Sequence, residues 1–252
     1  MEKIKVGIVN YLNTKPLLYG IEHAPVIESI ELIRDYPSHI AGFLLNGSID
    51  LGLVPVAILP KLKEYHIVTD FCIGSDGPVA SVCIFSDVPL EQVEELLLDY
   101  QSRTSVALAK LLLREYWKVT PKLTDTTTDF RTRIKGRTAG LVIGDRSFEQ
   151  RQTSAYIYDL GEAWKKFTGL PFVFAAWVSN KKLDEKFIKD FNEANKEGVK
   201  NISKILEGND YPLFDLNKYY NSYINYDLDD LKRKGLEKFL ELKERFVEEN
   251  AI

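Results

Sequence analysis

The sequence predicts an α/β protein built as two lobes, and three observations carry that expectation. Strand-like and helix-like apolar segments alternate between residues 4 and 54. Two longer apolar runs, residues 79–86 and 171–179, break the rhythm. A second alternating series lies between them. Strands joined by short helices pair in parallel through right-handed crossovers. Two long runs that bracket an inserted series read as the passages from one lobe to the other and back.

Bulk properties fit this reading. A chain of 252 residues supplies a sizeable core, and 45% hydrophobic with 28% charged residues is ordinary globular composition. The net charge is −4 with both signs interspersed, which argues against nucleic acid as the main partner. The basic run Lys232-Arg233-Lys234 sits in a mixed-charge helix and reads as a solvated face. The longest apolar run, residues 171–178, is too short to cross a bilayer. The first residues enter a strand without the apolar stretch of an export signal, so a cytoplasmic protein with no membrane partner is expected. Cys72 and Cys83 lie in strand-like segments and are expected as reduced core thiols. His23, His39 and His66 lack metal-ligand spacing, so no metal is expected.

Element by element, residues 4–9 form the first strand. A helix follows over 14–20, with Pro16 tolerated in its first turn and Gly20 suited to its exit. Residues 26–33 are the second strand. Residues 38–45 form a helix with Ile40, Phe43 and Leu44 on one face, stopped by Asn46-Gly47. Residues 49–54 are the third strand, halted by Pro55. In the inserted series, 96–99 is a strand and 103–117 a helix; 122–123 and 139–143 are further strands. Residues 159–168 form a helix whose Asp159 and Glu162 resemble a capping box, with Gly169 and Pro171 as stops. Beyond the second long run, Phe187, Phe191, Ala194, Gly198, Ile202 and Ile205 recur at helical spacing. Residues 226–247 end the chain as an amphipathic helix.

Four polar clusters fall at the carboxyl ends of these strands or at the first long run. Open α/β sheets bind ligands at such strand ends, and in a two-lobed protein the expected place is the cleft between lobes. Asn10-Tyr-Leu-Asn-Thr-Lys-Pro16 is either a turn whose Asn13 or Thr14 caps the next helix, or a loop whose Asn13 orients a ligand. Residues 75–81 carry the turn pair Gly77-Pro78 and then Ser81, which either fills a small space or presents a hydroxyl. Ser102-Arg103-Thr104-Ser105 opens a helix. One cap suffices there, so three of the four polar residues are surplus to capping; hydroxyls, free N–H groups and a guanidinium together suit an anion such as a carboxylate. Gly144-Asp145-Arg146 offers Asp145 as a cap or as a partner for a ligand hydroxyl. No Gly-rich phosphate loop, metalloprotease helix or nucleophile elbow is present.

Residues 9–17 (Val-Asn-Tyr-Leu-Asn-Thr-Lys-Pro-Leu), residues 50–56, Ser102–Ser105 and residues 159–175 together resemble the chorismate dehydratases of menaquinone biosynthesis through futalosine. The likeness spans roughly residues 4–180, and its last motif is the most specific. Arg146 departs from the pattern, which has a small residue after the Gly-Asp pair. The resemblance implies a periplasmic-binding-protein-like fold of type II, each lobe a mixed, mostly parallel sheet flanked by helices, with two crossover strands as hinge. Lobe one would comprise residues 1–85 and 178–252, and lobe two residues 86–177. It implies a cofactor-independent lyase that takes chorismate, a small dicarboxylate, to 3-[(1-carboxyvinyl)oxy]benzoate and water, acting as a monomer or weak homodimer. Asn13 and Ser81 are the expected catalytic residues. Tyr11, Leu12, Thr14, Pro55, Gly77, Ser102, Arg103, Thr104, Ser105 and Asp145 are the expected binding residues. Three alternatives stay open at this point: a solute-binding protein for small anions, the sister dihydroxynaphthoate synthase, and a ligand-sensing domain.

Overall fold

The computed structural model describes residues 3–208 and 211–249, the last four by backbone alone. The expected lobe limits at residues 1 and 252 lie outside the described residues. By internal packing the chain forms two units. The first holds the described residues up to Gly74 together with Val173–Asp229; the second holds Ser75–Phe172 and the described residues from Asp230 onward.

The sheet of the first unit is built from β1 (Ile4–Val9), β2 (Ile30–Asp35), β3 (Leu51–Pro55), β4 (His66–Ser75), β10 (Phe172–Ser179) and β11 (Asn225–Asp227), in the order β11-β4-β10-β3-β1-β2. Around it run α1 (Lys15–His23), α2 (Pro37–Leu45), α6 (Glu185–Lys200), α7 (Ile202–Leu206) and the single turn α8 (Leu216–Lys218). β1 pairs in parallel with β2 and β3, and β3 runs antiparallel to β10. The second sheet takes β5 (Val82–Ser86), β6 (Glu95–Leu98), β7 (Lys122–Asp125), β8 (Thr138–Ile143) and β9 (Tyr156–Asp159) in the order β7-β6-β8-β5-β9. β6 is parallel to β7 and β8, whereas β5 is antiparallel to β8 and β9. The helices of this unit are α3 (Arg103–Leu112), α4 (Arg146–Gln150), α5 (Leu160–Thr168) and α9 (Asp230–Glu249).

The expected α/β class and the two mixed sheets are present, with several differences of detail. Parallel pairing does not dominate, because β5, β9, β10 and β11 all run against a neighbour. The run at 79–86 is not a passage between lobes: its strand lies inside the second sheet, and the chain changes units at the end of β4 and the start of β10. The final helix packs with the second unit rather than with lobe one. There Trp164 of α5 meets Phe239 of α9 and Phe172 edge-on, at 6.2 and 5.2 Å between ring centroids. This packing also buries Lys232, 1% exposed, which the sequence put on a solvated face. The second strand starts late because Pro25–Ser29 closes into a 3₁₀ turn, and Tyr226 belongs to β11 rather than to a helix.

In the first unit, α1 and α6 cross where two glycines face each other's backbone. A Cβ on Gly20 would lie 1.9 Å from the Ala194 carbonyl oxygen, and one on Gly198 would lie 2.0 Å from that of Pro16. The apolar stripe of α6 is buried as its spacing predicts. Trp177 of β10 meets Phe191 at 87° and 4.8 Å, and its indole N–H donates to buried Asn195 at 2.8 Å. Backbone cannot yield to a new methyl group as a flexible side chain does, so Gly198→Ala is expected to cost about 3 kcal/mol or more. A lower urea midpoint at unchanged m would show it; an unchanged midpoint would mean the helices separate without penalty.

Candidate active site

In the first unit the chain leaves β1 into Tyr11 and a 3₁₀ turn, Leu12–Thr14, that leads directly into α1. Neither Asn13 nor Thr14 caps α1 through its side chain. The Thr14 hydroxyl instead points back, 2.6 Å from the Val9 carbonyl oxygen and 2.8 Å from that of Tyr11, which ties the turn to the strand end. The Tyr226 hydroxyl donates to the Asn13 carbonyl oxygen at 2.9 Å. Tyr226 is fully enclosed, and burial, with Tyr219 and Tyr220 near it, pushes its phenol well above the ordinary tyrosine range, so it stays a donor. Main-chain bonds thus fix Asn13, while its buried Oδ1 has no hydrogen-bond partner among the described residues. Such an orphan costs free energy unless a ligand or water meets it. Leu12 and Pro55 are buried, Leu12 in the apolar core and Pro55 at the end of β3 opposite Ala175; Tyr11 is half-buried.

In the second unit the loop before β5 is held by one carboxylate. Asp159, half-buried at the end of β9, accepts from the N–H groups of Gly161 and Glu162 at 2.9 and 3.0 Å. It also accepts from Val79 at 3.0 and 3.1 Å and from Ala80 at 2.7 Å. Burial pushes its carboxyl upward, and these N–H groups with Arg151 pull it back. Ala80 adopts a φ of 63°, uncommon for a residue with a Cβ. Arg151 Nη2 donates to its carbonyl oxygen at 2.8 Å. Gly161 approaches so closely that a Cβ there would lie 2.5 Å from the Gly77 carbonyl oxygen and 2.6 Å from Ser75 Oγ. Ser81 follows directly. It is fully buried, its N–H donates to the Val79 carbonyl at 2.8 Å, and its hydroxyl lies 3.5 Å from the same oxygen. Gly77 sits in the turn with φ 120°. The spacing of Asp159 to Glu162 signals a helix cap, and nothing local announces the bond to residues eighty positions away.

The start of α3 shows how its polar residues are bonded. Ser102 is the cap: its Oγ accepts from the Ser105 N–H at 3.0 Å and donates to Ser105 Oγ at 2.9 Å. Capping therefore accounts for two of the four residues, not one. Thr104 is buried, and Arg103 stands exposed with no acceptor among the described residues. Just upstream, Asp99 is 2% exposed and accepts from the N–H groups of Gln101 and Ile143 at 2.9 and 3.1 Å. Burial pushes its carboxyl up; Arg146 and those N–H groups pull it down. Asp145, offered as a cap for α4, makes no side-chain capping bond there.

These parts of the second unit share one edge of its sheet. The Gly144 N–H donates to the Ser81 carbonyl at 2.9 Å, and Ile143 meets Asp99, so Ser81, residues 143–146 and residues 99–105 stand side by side. Tyr11, Leu12, Asn13, Thr14 and Pro55 belong to the first unit. The three histidines are outside these loops, bonded to the Tyr19 carbonyl, Asp35 and Glu64.

Comparison with known proteins adds to this geometry. A family model described as menaquinone biosynthesis matches residues 4–245. The chorismate dehydratase of Thermus thermophilus is 26% identical over an alignment of 276 positions, covering 96% of this chain and 95% of that one. A solved protein of Archaeoglobus fulgidus superposes with a TM-score of 0.77 at 15% identity, covering 99% of this chain and 98% of that one. A Candida albicans protein described as having the generic periplasmic-binding-protein fold gives a TM-score of 0.62 at 14% identity, over 96% and 90% of the two chains. The fold is therefore periplasmic-binding-protein-like.

The Asp159 clamp is directly testable. In Asp159→Asn an amide NH₂ replaces an oxygen that now receives N–H groups, so a loss of about 2 kcal/mol of stability is expected. Thermal unfolding that matches the wild type would show that the clamp holds nothing.

Proposed function

The chain belongs to the menaquinone-biosynthesis family, and on that premise we propose that it is a chorismate dehydratase of the futalosine route. The observation that carries the reading is the likeness to the Thermus thermophilus enzyme over 96% of the chain. The reading includes a cofactor-independent hydro-lyase, cytoplasmic, acting as a monomer or weak homodimer. Among the described residues no helix is long and apolar enough to cross a membrane.

The reaction breaks the C3–H and C4–OH bonds of the chorismate ring; proton and hydroxide leave together as water, and the ring becomes aromatic. The C3 hydrogen is acidified because the ring carboxylate is conjugated through the adjacent double bond. Holding geometry, supporting the enolate-like charge and excluding bulk water are then the main tasks. In this reading the start of α3 receives the ring carboxylate, with Arg103 adding a charge-assisted bond. Asn13 and Ser81 hold the enolpyruvyl side chain and the departing hydroxyl. The enolpyruvyl carboxylate itself takes the C3 proton. Two facts support a substrate base: the loops carry no histidine, and Asp99 and Asp159 are each occupied by backbone N–H donors.

A small-anion binding protein draws support from the fold alone, which hosts many functions, and the family match favours the enzyme. Incubating the purified protein with chorismate, without added metal or nucleotide, should give an aromatic product lighter by one water, seen by ultraviolet absorbance and mass. Chorismate returned unchanged sinks the proposal. Asn13→Ala and Ser81→Ala are each expected to lower kcat by about a hundredfold or more. Arg103→Ala should raise KM with kcat nearly kept, because a ground-state anchor binds substrate and transition state alike. A pH–rate profile that assigns an essential base near neutrality to a side chain, Asp145 foremost, would remove the substrate-base step.

A further inference from the structure

We propose that Arg146 sets the charge of the anion site at the start of α3: it cancels the buried Asp99 carboxylate, and without it the site rejects a substrate carboxylate. The inference rests on the function proposed above and deepens it by naming a residue that decides affinity for the anion.

The starting point is a conflict of charge. Asp99 lies three residues before the Ser102 cap and is almost wholly buried. Its backbone donors, Gln101 and Ile143, stabilise the carboxylate but leave its negative charge in place. A carboxylate there opposes the positive end of α3, the feature that suits this place to an anion. Arg146 resolves the conflict. Its Nη2 lies 2.9 and 2.8 Å from the two Asp99 oxygens and 2.8 Å from Gln101 Oε1. Its guanidinium carbon stands 5.2 Å over the Tyr100 ring, a stacking contact that holds the group in the turn leading to Ser102.

The Arg146 charge also acts on Asp129, but the hydrogen bonds of the neighbouring groups run elsewhere. Nε and Nη1 of Arg146 are buried with no acceptor among the described residues. The neighbouring carboxylates Asp129 and Glu149 are already held by Arg131, at 2.7 and 2.5 Å. Asp99 is thus the one carboxylate bonded to Arg146 among the described residues. The resulting balance is one buried acid, one half-buried base and a helix start, with Arg103 exposed beside it. Arg146 is a positioning residue acting through Asp99 and through charge, and no contact between it and the substrate is required.

The test is a charge cycle read by kinetics: Arg146→Met, Arg146→Lys, Asp99→Asn, and the double variant Asp99→Asn with Arg146→Met. Close charges across a partly buried site predict that Arg146→Met raises KM for chorismate about tenfold to a hundredfold while kcat changes little. The double variant should return KM to within a few-fold of wild type, and Arg146→Lys should stay near it, because charge rather than the planar fork is what matters. An ion pair that only supports the fold would lower the urea midpoint in Arg146→Met and leave KM alone. That result overturns the inference, as does a folded double variant with no recovery. If Arg146→Met does not fold, Asp99→Asn decides: KM at or below the wild-type value supports the proposal and a rise refutes it. Should the wild type fail to turn over chorismate, the functional reading falls by itself. Sodium benzoate then serves as the probe on the same variants by titration calorimetry. Binding lost in Arg146→Met and regained in the double variant keeps the inference, and equal binding by all of them ends it.

Discussion

The carboxylate of Asp159 is the constraint on which the second unit's edge depends. A carboxylate withdrawn from water must be met by donors or lose its charge. Here four backbone N–H groups meet it, two from the start of α5 and two from the loop before β5. That single acceptor joins segments eighty residues apart and compensates the left-handed backbone of Ala80. It also explains why Gly161 has no side chain: α5 must start close enough for its first N–H groups to reach Asp159, and that approach leaves no room for a Cβ beside Gly77 and Ser75. Ser81 follows directly on this loop, its N–H bonded to the Val79 carbonyl and its own carbonyl to the Gly144 N–H.

Asp99 meets the same requirement differently. Two N–H groups are too few for a carboxylate that deeply buried, and a guanidinium completes the set. The contrast has a consequence for ligands. A carboxylate saturated by backbone N–H groups is a structural post, whereas one that needs a cation imports a charge balance that a substitution can tip. Both acids stand at loops of one sheet edge, and only the second adjoins the helix start suited to an anion. The first unit uses a neutral device for the same end: the Tyr226 hydroxyl and the Thr14 hydroxyl fix the main chain around Asn13 and leave its carboxamide oxygen unclaimed.

Legibility in the sequence followed the range of the interactions. Helices with apolar stripes and local stops were readable: α2 ends at Asn46, α5 runs from its Asp159 cap to Gly169, and the α6 stripe is buried as spaced. β4 escaped because Thr69, Asp70 and Gly74 interrupt its apolar pattern, yet β11 pairs with it and completes the edge. The unit to which α9 belongs was not readable either, since an amphipathic helix shows that it has a partner without showing which; Trp164 and Phe172 supply it through Phe239. At the site, the residue types at strand ends were legible and their bonds were not. The surplus of polar groups at Ser102–Ser105 was smaller than it read, because a cap that uses two serines resembles a binding motif from sequence alone.

The fold by itself favours neither binding nor catalysis, so the difference must lie in how little the proposed chemistry asks. Chorismate brings the thermodynamic drive of aromatisation and, in its side chain, a carboxylate within reach of C3. A protein that already holds a small dianion rigidly has most of what the reaction needs, provided the ring carboxylate is fixed while charge develops on it. Rigid support is what the observed bonds supply: the Tyr226 bond to the Asn13 carbonyl, the Thr14 bond to Val9, four N–H groups on Asp159 and a serine cap at α3. In the proposed reaction, where the base is delivered by the substrate, position and charge are what the protein has to contribute.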